Sequence, residues 1–128
     1  MTKNVIRTTQ APAAVGPYSQ AVSAPCKELI FCSGQIALDP ATQQLVQGDV
    51  KIQTRRVMEN LKAVLDAAGS DFSKVLKCQV YLLRMSDFAA MNEVYGEYFK
   101  DHPPARATVA VAELPKGASV EIDATAYR

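Results

Sequence analysis

Toward the end of the chain two runs with strand-like alternation, PPARATVAV and ASVEIDATA, each place one charge out of phase with their apolar residues: Arg106 in the first and Glu121 in the second. Side chains alternate across a strand, so Ala107, Val109 and Val111 share one face while Arg106, Thr108 and Ala110 share the other. In the second run Val120, Ile122, Ala124 and Ala126 form the apolar phase, leaving Glu121 and Asp123 opposite. A fixed guanidinium can hold a carboxylate through two parallel hydrogen bonds, and a nearby carboxylate can take a proton from water. Together they could bind an organic acid and hydrolyse it. The competing reading is a plain Arg–Glu ion pair on a sheet face.

The elements that must position these groups are marked by periodicity and turn residues. Residues 4–8 read as a first strand, and the loop QAPAAVGPYSQ, with Pro12, Gly16 and Pro17, leads to a second around 20–24 that Pro25 ends. The apolar run ELIFCSG reads as a central strand. Over 49–68, Ile52, Val57, Leu61, Val64, Leu65 and Ala68 follow helical spacing, and Gly69 supplies a C-terminal cap. Residues 74–83 alternate Leu76, Cys78, Val80 and Leu82 against Lys77, Gln79 and Tyr81. Ser86 can cap a second helix whose Phe88, Met91, Tyr95, Tyr98 and Phe99 step by three and four as a core stripe. Pro103 and Pro104 stop it before the Arg106 strand.

The order β-β-β-α-β-α-β-β, with right-handed crossovers, puts both helices on one face of a mixed sheet. The bare face is then expected to carry Arg106, Thr108, Glu121, Asp123, Gln79 and Tyr81. A surface of that mixture favours self-association, with clefts between subunits as natural ligand sites.

Composition narrows the chemistry. At 128 residues the chain fits one domain, 1–128, and its net charge of +1, with no clustered Lys or Arg, argues against a dedicated nucleic-acid binder. His102 is the only histidine, which removes His-based triads and multi-His metal centres, and beside Pro103 it reads as a polar helix-end residue. No disulfide or metal staple is required for a chain of this length. Cys26, Cys32 and Cys78 are odd in number and lack C-x-x-C spacing, so they read as buried reduced thiols of a reducing compartment. No apolar run reaches the roughly 18 residues of a membrane span. A cytoplasmic location is expected; Lys3 and Arg7 leave a mitochondrial address open.

The chain resembles the reactive intermediate deaminase family, RidA or YjgF, along almost its whole length. The resemblance rests on APAAVGPYSQAV, FCSGQIALDP, NLKAVLDAAG and above all PPARATVAVAELPKGASVEIDATA. It implies a chorismate-mutase-like α+β fold, a six-stranded mixed sheet with two helices on one face, assembled as a homotrimer with active sites between neighbours. The implied activity is hydrolysis of 2-enamine and 2-imino acids, such as 2-aminoacrylate, 2-iminopropanoate and 2-iminobutanoate, to 2-keto acids and ammonia, without cofactor.

By position, Arg106 resembles the residue that pairs with the substrate carboxylate and Glu121 the one that activates water. Tyr18 matches the tyrosine of the family's GPY loop beside the ligand, and Ser33 and Gly34 match an S-G-Q segment where the substrate nears the backbone. Thr108 stands where many relatives carry a cysteine whose main chain meets the ligand. Two rival functions remain at this level: a non-catalytic trimer that binds small 2-keto acids, and an RNA-cleaving inhibitor of translation.

Overall fold

The computed structural model describes residues 3–128 and carries six strands and two helices: β1 (Asn4–Ile6), β2 (Ala21–Ser23), β3 (Leu29–Gln35), α1 (Val50–Ala67), β4 (Val75–Leu82), α2 (Phe88–Tyr98), β5 (Ala105–Ala110) and β6 (Val120–Tyr127). The order is the one read from periodicity. Helix α1 begins at Asp49, whose side chain accepts from the Ile52 amide at 3.0 Å, and gives way at Gly69, which takes a left-handed φ of +75°. Helix α2 starts differently from the sequence expectation. Ser86 lies inside a short 3-10 turn, Met85–Asp87, and neither it nor Asp87 caps the helix through a side chain. The turn already satisfies the first amide of the helix, since the Phe88 amide donates to the Met85 carbonyl.

Four strands pair in the order β3-β6-β4-β5, with β4 and β5 parallel and β6 antiparallel to both of its neighbours. Both helices pack on one face of this sheet. Val57, Leu61 and Leu65 of α1 and Met91 and Tyr95 of α2 meet Cys78 and Val80 of β4 and Ile122 and Ala124 of β6 in a continuous apolar core. The α+β class and the one-sided helix layer follow the sequence reading.

The expected six-stranded sheet divides into four strands and two. β1 and β2 pair with each other, and only a single bridge, Ser19 with Ala105, ties them to β5. There the Ser19 amide donates to the Pro104 carbonyl at 3.0 Å, and its hydroxyl donates to the Pro103 carbonyl. Strands of three residues presenting Ala21 and Ser23 bury too little to hold a second ladder. Lys3 anchors this pair from the other end: it is buried, and its Nζ donates to the Val75 carbonyl at 2.7 Å. Burial lowers its ammonium to about 8.

Cys32 and Cys78 are buried free thiols, as read, but Cys26 is exposed. It sits between Pro25 and Lys27 in the connection from β2 to β3, outside any apolar strand phase. His102 is exposed beyond the end of α2. Among the described residues no group of three or more His, Cys, Asp or Glu side chains could hold a metal ion, and no helix is long and apolar enough to cross a membrane.

Candidate active site

Strand register decides which candidates share a face, because residues opposite one another on paired strands point the same way. On the parallel β4–β5 ladder Cys78 stands across from Arg106 and Val80 from Thr108. Cys78 and Val80 are core residues, 1% and 0% exposed. Arg106 and Thr108 therefore project to the helix-covered side. On the β4–β6 ladder Tyr81 stands across from Glu121 and Gln79 from Asp123, which places those four on the uncovered face. The expectation that Arg106, Thr108 and Glu121 share the bare face is overturned for the first two. Apart from Arg106, both phases of β5 are built from short side chains, so alternation alone does not say which is inner.

Arg106 lies at the margin of the core, half-buried, where β5 forms the sheet edge. Its Nη1 donates to Asn92 Oδ1 of α2 at 2.6 Å. Three rings flank the guanidinium: Tyr95 at 4.9 Å, Phe88 at 5.4 Å and Tyr18 at 5.5 Å from Cζ to centroid. Phe88, Asn92 and Tyr95 follow one another at intervals of four and three, so one row of α2 delivers all three. Asn92 is the residue that sequence reasoning passed over, and its signal was a lone amide inside an otherwise apolar stripe.

No carboxylate offsets this charge. The four ion pairs among the described residues are Lys51–Glu93, Arg55–Glu97, Lys62–Asp66 and Arg128–Glu28. Burial lowers the Arg106 pKa, and the groups acting against that shift are Tyr95, Cys78 and Tyr18. The plain Arg106–Glu121 ion pair is thus excluded within the chain.

The edge beside Arg106 is also open. The Val111 amide donates to the Leu82 carbonyl on β4, whereas the Pro104 carbonyl faces outward to Ser19. By alternation, the amides and carbonyls of Arg106 and Thr108 point away from β4, toward an edge that no described strand pairs beyond Ser19. The Thr108 hydroxyl is buried without a partner. Its main chain is therefore what this residue offers to the outside.

The second group of candidates lies elsewhere. Pairing of β3 with β6 is irregular between Cys32 and Gln35, so Ser33 and Gly34 form a bulge opposite the Asp123 region. A β-carbon at Gly34 would sit 3.0 Å from Glu121 Cδ and 3.2 Å from its Cγ, so the absence of a side chain here lets the Glu121 carboxylate lie against the bulge. Gly34 and Glu121 thus form one patch on the open face, with Ser33 exposed beside them. Tyr18 and Arg106 form another, at the β5 edge. The two patches face opposite sides of the sheet. Clefts of about 660 and 710 Å³ run along the β1–β2 pair, the first bordered by Tyr18, and neither includes Arg106 or Glu121.

These features define a small α+β protein with a half-buried arginine that lacks a carboxylate partner at a sheet edge and a separate carboxylate patch on the open sheet face. Residues 8–128 match the family described as Endoribonuclease L-PSP. Protein DfrA of Myxococcus xanthus is 59% identical over 126 residues, covering 98% of this chain and 96% of its own length. The 2-iminobutanoate/2-iminopropanoate deaminase of Mus musculus is 49% identical over 126 residues, covering 98% and 92%. The solved structure of YyfB from Yersinia pestis, a protein of unknown function of the conserved Rid family, superposes with a TM-score of 0.91 at 28% identity, over 100% of both chains. The chain belongs to the RidA/YjgF family.

Proposed function

We propose that this protein hydrolyses 2-imino acids and their enamine tautomers, such as 2-iminobutanoate and 2-iminopropanoate, to 2-keto acids and ammonia. The observation that carries the reading is the half-buried Arg106 guanidinium, fixed by Asn92 and ringed by aromatic faces with no acid to neutralise it. A cation held this way lacks only an anion, and the free edges of its fork fit a carboxylate. The deaminase names carried by mammalian relatives at 46–49% identity support the same class.

The chemistry needs little else. With the carboxylate on Arg106, the adjacent C=N carbon is presented to a positioned water, and attack becomes effectively unimolecular. Glu121 accepts a proton as water adds to the protonated imine, giving a neutral carbinolamine. It returns that proton to the nitrogen, and as the C–N bond breaks and C=O forms it takes up the hydroxyl proton, which is then released to solvent. Carbon gains the oxygen and loses ammonia. Tyr18 would pack against the bound acid, Ser33 and Gly34 would let it approach the backbone, and the outward main chain of Thr108 would supply further hydrogen bonds.

Arg106 and Glu121 face opposite ways in one chain, so a working site takes Arg106 from one copy and Glu121 from another. Unlike patches can join in this way across a two-fold axis, giving a dimer with two shared sites, or head to tail, giving a ring when the rotation closes, and the ring is the assembly that the family resemblance implies. Phe31, 74% exposed, and Val109, 44% exposed, lie on the open face such a contact would cover. The smallest ring is a homotrimer. Sedimentation equilibrium should give about three times the 13.9 kDa chain mass, and Phe31→Glu should shift it to the monomer and abolish activity. A wild-type monomer that is fully active would refute the shared site.

The defining assay generates 2-iminobutanoate in place with a threonine dehydratase and follows its disappearance. Acceleration over the spontaneous rate is expected; no acceleration, with 2-oxobutanoate still bound, would favour a non-catalytic binder. The description of the family as an endoribonuclease keeps RNA cleavage as a second reading. RNA cleavage by homogeneous protein that survives Arg106→Ala would move the function away from this site. Gly34→Ala should displace the Glu121 carboxylate and reduce imine turnover, while the melting temperature stays within a few degrees. Equal turnover in this variant would dissociate Gly34 from the site.

A further inference from the structure

We propose that Tyr95, seated above Cys78, is a specificity-determining positioning residue: its π face holds the Arg106 fork in place without neutralising it, so the site selects carboxylates over neutral ligands. The proposal rests on Arg106 as the acid-binding group.

Tyr95 is fully buried, and its ring is the nearest of the three to the guanidinium, at 4.9 Å. Its hydroxyl has no hydrogen-bond partner of good geometry. The Cys78 thiol makes only a weak contact with it, so the ring rather than the hydroxyl is the part that acts on Arg106. Cys78 stands directly across from Arg106 on β4 and points to the same side.

These positions are where an acidic side chain would neutralise the guanidinium. Neither group supplies a charge at neutral pH, because burial pushes the Cys78 thiol up to about 12 and holds the Tyr95 hydroxyl well above its usual range. The π face balances part of the cost of a half-buried cation without consuming its hydrogen-bond donors, and it fixes the plane of the fork. Asn92, one turn earlier on α2, accepts from Nη1. The remaining donors stay available to a carboxylate.

The test measures calorimetric affinity for 2-oxobutanoate and for its neutral amide, 2-oxobutanamide, on the full-length oligomer. Wild type should prefer the acid by at least about tenfold. Tyr95→Phe should keep that ratio, while Tyr95→Met should weaken the acid roughly 5- to 30-fold and leave the amide unchanged. Should Tyr95→Met fail to fold, pentafluorophenylalanine incorporated at position 95 keeps a ring of similar size but removes its negative face, and the acid should again weaken while the amide is unchanged. A Tyr95→Met protein that retains the preference, or loses both ligands equally, overturns the role of Tyr95. A wild type with no preference overturns the Arg106 reading as well, so the two failures are told apart.

Discussion

Arg106→Ala should lower kcat/KM for 2-iminobutanoate by roughly 30- to several-thousand-fold, the about 2 to 5 kcal/mol lost when one member of a desolvated charge pair is removed. The loss should fall on KM as well as kcat, because the same contact binds the acid and orients the C=N carbon. Arg106→Lys should recover only part of it, since an ammonium keeps the charge but not the planar fork. The melting temperature is expected to hold or to rise, as a half-buried cation without a carboxylate partner costs stability. That combination separates a ligand-binding role from a structural one. A variant that loses activity together with its fold would speak for structure, and one that keeps full turnover would remove Arg106 from the mechanism.

Glu121→Gln should leave KM within about threefold and reduce kcat by about 100- to 10,000-fold, the range of a general acid–base contribution. The amide matches the carboxylate in shape and still approaches Gly34, so the bulge should be preserved, but it cannot accept the proton released as water adds. The 2-oxobutanoate affinity is the control: it should be unchanged in Glu121→Gln and lost in Arg106→Ala. If both variants lost affinity equally, the division of labour between the two residues would be wrong.

The sequence was a good guide to the elements and a poorer one to the sheet's edges. The run ASVEIDATA separates Val120, Ile122, Ala124 and Ala126 cleanly from Glu121, Asp123 and Thr125, and the structure buries the first set. β5 offered no such contrast. Ala105, Ala107 and Ala110 are small on both phases, so which side Arg106 takes is settled only when Cys78 aligns with it across the ladder, a tertiary fact. The two-stranded β1–β2 pair was legible as strands but not as a separate sheet, because a single Ser19 bridge leaves no periodic trace. Asn92 was hidden by its position: an amide between Phe88 and Tyr95 on an apolar helical row reads as an interruption until the guanidinium it accepts from is placed beside it. The reason for Gly34 is likewise invisible before Glu121 arrives from a strand nearly ninety residues later.

That Arg106 and Glu121 emerge on opposite faces of one sheet has a genetic consequence for the proposed ring. Damage to the two halves would be separable between alleles, because each crevice draws its guanidinium from one subunit and its carboxylate from the next. Two individually inert chains, one lacking Arg106 and one lacking Glu121, would complement when coexpressed, since a fraction of crevices in the mixed assemblies receives both intact groups.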